Sequence, residues 1–68
     1  MWTTWWFGIN DENSDLCGEE FFVEVNVTLD IAKREAIKIA KENFPNEKIS
    51  CYGRVSETEA EMMGLDTY

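Results

Sequence analysis

The chain has 68 residues, with 14 acids, 6 bases and no histidine, so its net charge is −8; 44% of its residues are apolar and 13% aromatic. That apolar share is too high for a disordered acidic tail, and a chain this short forms one domain that buries only roughly 60% of its unfolded surface. Without histidine, Ser-His-Asp and Cys-His catalysis and histidine metal ligation are excluded, and neither GxxxxGK[ST] nor GxGxxG occurs to cradle a phosphate.

MWTTWWFGI, residues 1–9, is rich in Trp, Thr, Phe and Ile and reads as a strand. NDENSDLCGEE, residues 10–20, is polar and turn-rich and reads as a loop. Asp11, Asn13 and Asp15 match the first three ligand positions of a calcium loop. Leu16 and Phe22 then stand where the glycine and the bidentate glutamate are required, so the stretch reads as a solvated turn. No metal or cofactor is expected. FFVEVNV, residues 21–27, alternates, with Phe21, Val23, Val25 and Val27 on one face and Phe22, Glu24 and Asn26 on the other.

From Thr28 the period changes to that of a helix. Leu29, Ala32, Ala36, Ile37, Ile39, Ala40 and Phe44 share one stripe, Thr28 is placed to cap the start, and Pro45 stops the run. Arg34, Lys38 and Lys41 fall on the opposite, outward side. KISCYGRV, residues 48–55, alternates again, setting Ile49, Cys51 and Val55 against Ser50, Tyr52 and Arg54. SETEAEMMG begins a short helix with a capping box at Ser56 and Glu59 and a C-terminal cap at Gly64. LDTY, residues 65–68, reads as a loose tail to a single domain spanning 1–64.

The expected fold is therefore α+β with element order β-β-α-β-α. A hairpin followed by a right-handed crossover gives a three-stranded antiparallel sheet of order 2-1-3, with the long helix on one face. Trp5, Phe7 and Ile9 complete the face under that helix. The other face then shows Trp2, Trp6, Phe22 and Tyr52, with Glu24, Asn26 and Arg54 between them. Three fates are open to it. The C-terminal helix can fold back with Met62, Met63 and Leu65 over the rings, the face can pair with its own copy in a homodimer, or it can bind a different partner. A bare patch of this size exceeds what soluble monomers leave exposed, and Trp and Tyr are favoured interface anchors.

Charge separates the remaining function classes. Residues 1–30 carry seven acids and no base, residues 31–54 six bases and three acids, and residues 55–68 four acids and no base. Aromatic sheet faces that stack single-stranded bases lie in basic grooves, so direct nucleic-acid binding is not expected here. A basic protein partner is. No Lys or Arg precedes Lys33, and no apolar run approaches the roughly 20 residues that span a bilayer, so a cytoplasmic protein with reduced thiols and no membrane contact is expected. Cys17 and Cys51 form no CxxC pair. The chain is not expected to be an enzyme.

With its short length, strong negative charge and acidic runs NDENSDLCGEE and SETEAEMMGLD, the chain resembles small phage- or prophage-encoded inhibitors, anti-CRISPR proteins among them. The likeness is compositional and rests on no diagnostic motif. It implies a protein of the host cytoplasm that occupies a host nucleic-acid-binding surface, with acids standing in for phosphates. Asp11, Glu12, Asp15, Glu19 and Glu20 in the loop and Glu57, Glu59 and Glu61 in the last helix would be the mimics, beside an aromatic contact of Trp2, Trp6, Phe22, Tyr52 and Arg54. The basic stripe Arg34, Lys38 and Lys41 departs from a uniformly acidic mimic. The competing expectation is a structural domain that homodimerises through the aromatic face; a small-ligand pocket among the tryptophans comes third.

Overall fold

The computed structural model describes residues 1–68. Strands β1 (Trp2–Ile9) and β2 (Glu20–Asn26), helix α1 (Leu29–Asn43), strand β3 (Ile49–Val55) and helix α2 (Glu57–Met63) follow in that order. The sheet order is β2-β1-β3, and β1 pairs antiparallel with both neighbours, as the sequence predicts. No helix is long and apolar enough to cross a membrane.

α1 meets the sheet through Ala32, Ala36 and Ala40, all fully buried, one turn apart on a single line. Their small side chains let the helix approach closely, and the space is filled from the sheet side by Trp5, Phe7, Phe21, Val23 and Val25. The indole N–H of Trp5 would be costly to bury unpaired; it donates to Oγ1 of buried Thr3 at 2.9 Å. Ile37, Ile39 and Phe44 close the flanks, whereas Leu29, expected in the stripe, is 51% exposed in the helix's first turn. Thr28 holds the N-cap position without a side-chain cap bond. The capping box on α2 forms in full: Glu59 N donates to Oγ of Ser56, and Ser56 N donates to Oε1 of Glu59, each at 3.1 Å.

Two features depart from the sequence reading. The first is a bulge in β3. Cys51 pairs with Phe7 but Gly53 pairs with Trp6, so Tyr52 is an extra residue in the ladder, and Gly53 takes a φ of +133° there. Beyond the bulge the side-chain parity inverts. Arg54 now pairs with Trp5 on the α1 side, and Val55 pairs with Thr4 on the other, where it is buried.

The second is the tail, which is bridged to the sheet rather than loose. Phe22 N donates to Asp66 O (2.8 Å), Tyr68 N to Phe22 O (2.9 Å) and Glu24 N to Tyr68 O (3.0 Å), a short parallel ladder on the open edge of β2. Tyr68 then packs edge-on against Phe21 and Phe44, at ring-centroid distances of 5.5 and 5.4 Å. Residues 65–68 thus belong to the domain. Their pairing also fixes the course of α2. The connection from β2 through α1 to β3 crosses the sheet one way, and that from β3 through α2 to the tail crosses back. Both join parallel segments, so a common right-handed sense puts the two helices on opposite faces.

Candidate functional site

The face away from α1 is built from alternate residues: Trp2, Thr4, Trp6 and Gly8 from β1, Phe22, Glu24 and Asn26 from β2, and Tyr52 and Val55 from β3. α2 and the tail cover its middle. Phe22 is 1% exposed and Val55 8%, so neither is available to a partner in this arrangement. Of the cover expected from the C-terminal helix, Met63 and Leu65 are half-buried, but Met62 points outward at 84% exposure.

What stays open lies at the two ends. At the loop end, Tyr52 is 52% exposed and meets Trp6 edge-on, with ring centroids 4.9 Å apart. Its ring lies directly over Gly8, where even a methyl group would collide with it. Trp6 is half-buried, and its indole N–H has no partner. The acidic loop follows from this end. Asn10 anchors it to the start of β3, donating to Lys48 O just before the strand (2.9 Å) and to Ser50 Oγ within it (2.8 Å), and Asn13 N donates to Oδ1 of Asp11 at 3.1 Å in an Asx turn. Glu12, Asp15, Glu19 and Glu20 are exposed, and Asp11 is half-buried. Nowhere do three or more Cys, Asp or Glu side chains gather as a metal site.

At the other end, Trp2 is 66% exposed. Six residue steps along the strand separate it from Gly8, about 20 Å at the rise of an extended chain. The expected contact residues therefore divide into two groups: Trp6 and Tyr52 stand with the acidic loop, and Trp2 stands apart from it. Trp2 instead borders a cleft of about 840 Å³ between the sheet and α2. Thr4, Phe22 and Glu24 line its floor, and Glu57, Ala60 and Glu61 line the α2 side. Arg54, displaced in register by the bulge, still reaches the cleft's β3 rim. Glu59 is not part of it, being held in the capping box. Glu24 was not among the expected site residues, although its alternation with Phe22 already put it on this face.

The bases concentrate on one side. Lys33, Arg34, Lys38 and Lys41 are exposed on α1, over the first face, where Asp30, Glu35 and Glu42 accompany them, while Glu24 and the α2 acids Glu57 and Glu61 lie over the second. Compared with protein-family models, with curated proteins and with solved structures, the chain matches none.

Proposed function

We propose that this chain is a non-enzymatic protein-binding module that blocks a host nucleic-acid-binding defence complex by offering acids to that complex's basic surface. The observation that carries the reading is the gathering of four of the six bases on α1, away from the acids of the loop and α2. The basic stripe that would repel such a partner sits on α1, and the acids of the loop, β2 and α2 are presented from other parts of the surface. A surface of that kind steers association with a basic partner and competes with phosphates for the same Lys and Arg. The protein would act in the host cytoplasm.

Expression in bacteria carrying single, defined defence systems, followed by phage challenge, tests this directly. Restored plaque counts against a system that binds nucleic acid support the reading; counts unchanged across all such systems contradict it.

Exposure of Trp2, Tyr52 and Met62 supports a second reading, self-assembly through these side chains. Light scattering on wild type and on Trp2→Glu/Tyr52→Glu separates the two. A dimer that the substitutions dissociate supports self-assembly, and a wild-type monomer removes it.

A further inference from the structure

We propose that the cleft beneath α2 receives an arginine-bearing segment of the partner, with a guanidinium on the Trp2 ring and its N–H groups directed to Glu24, Glu57 and Glu61. The inference rests on the functional reading above and assigns it a specific contact. Glu57 and Glu61 are four residues apart, so both project from one side of α2, the side that lines the cleft. Thr4 pairs with Glu24 and Trp2 with Asn26, so Trp2 and Glu24 are diagonal neighbours on one sheet face, within reach of a shared ligand. Trp offers the most favourable ring face for a cation, and this one is largely exposed.

Charge decides the occupant. Glu24, Glu57 and Glu61 line the cleft, with Arg54 at its β3 rim and the Met1 ammonium bonded to Asn26 beside Trp2, so acids outnumber bases and an anionic ligand is opposed. A second copy of the chain docking the same patch about a two-fold axis would set these carboxylates against their own equivalents. Arginine is preferred over lysine because its planar fork can stack on the indole while bonding carboxylates in its own plane. A volume of about 840 Å³ exceeds one side chain, so several residues of an extended segment enter together.

The test titrates the full chain with acetylated hexa-arginine amide, by calorimetry and by amide and indole NMR shifts, with hexalysine in parallel. Wild type is expected to bind hexa-arginine more tightly than hexalysine, with the largest shifts at Trp2 and along residues 57–61. Trp2→Ala and Glu57→Gln/Glu61→Gln should each weaken binding about fivefold or more, the scale of one lost cation–π or charged contact. Arg54→Gln should tighten it about two- to fivefold by removing one of the two opposing charges, the other being the Met1 ammonium. Asp11→Asn/Asp15→Asn in the loop should change it less than about twofold, because exposed charges a Debye length away are screened. Shifts centred on the loop, equal losses from cleft and loop variants, weaker binding by Arg54→Gln, or no binding would each overturn the cleft assignment. Those results leave the inhibitor reading to the plaque assay; conversely, a cleft that binds the peptide in a protein that rescues no phage refutes the function and keeps the site.

Discussion

Replacing Gly8 by alanine isolates the contact that shapes the loop end of the second face. Its φ is not in the left-handed region, so the backbone accepts a side chain there. The obstacle is Tyr52: the added Cβ would meet the hydroxyl oxygen and stand 2.7 and 2.8 Å from Cε2 and Cζ. A half-exposed ring can swing into water, which removes the edge contact with Trp6, worth about 0.5–1.5 kcal/mol. It also exposes the buried half of the ring, about another 1 kcal/mol given roughly 1.5–3 kcal/mol for burying a large apolar side chain fully. Alanine's smaller unfolded-state entropy returns about 0.4–1 kcal/mol. The net expectation is a loss of about 0.5–2 kcal/mol, measured by urea unfolding monitored through tryptophan fluorescence. In a Tyr52→Ala background the same substitution should be neutral or stabilising. An equal cost in both backgrounds would refute the reasoning, because the collision would then not be with Tyr52.

Three further perturbations probe the cover over this face. Deleting residues 66–68 removes three backbone hydrogen bonds and should cost about 2–4 kcal/mol, at roughly 0.5–1.5 per bond plus the uncovering of Phe22; faster hydrogen exchange at the Phe22 and Glu24 amides checks it. Phe22→Ala should cost about 3–5 kcal/mol as a core truncation, against less than about 0.5 for Trp2→Ala at the exposed end, both read from unfolding midpoints. Ser56→Ala removes one capping-box bond and should cost about 1 kcal/mol, with protection lost along α2 rather than in the sheet. α2 buries no residue of its own, so its caps carry much of its stability.

The element order, the sheet order and the core face under α1 were legible because two clean alternations and one helical stripe specify them. Trp5, Phe7, Phe21, Val23 and Val25 are buried where period two puts them. The bulge was not legible, since Ile49, Cys51 and Val55 keep an unbroken alternation across it. Gly53 in a strand interior was the one signal, and its positive φ shows why it is there. The tail escaped because three residues are too few for a period, and its pairing uses backbone groups that every residue carries. Both misses bear on the candidate site. The bulge moves Arg54 and Val55 between faces, and the tail, with α2, buries Phe22. The acids of α2 were visible in sequence, but their convergence with Glu24 and Trp2 depends on the return crossover.

The most direct measurement is competition. Nucleic-acid binding by a purified defence complex, from the system that the phage assay identifies, is titrated with this protein at low and high salt. The account predicts that the apparent Kd for nucleic acid rises in proportion to added protein, that the effect weakens as salt increases, and that Trp2→Ala blunts it. Nucleic-acid affinity unchanged at saturating protein would contradict the account, because acids that do not occupy a basic surface cannot displace phosphates from it.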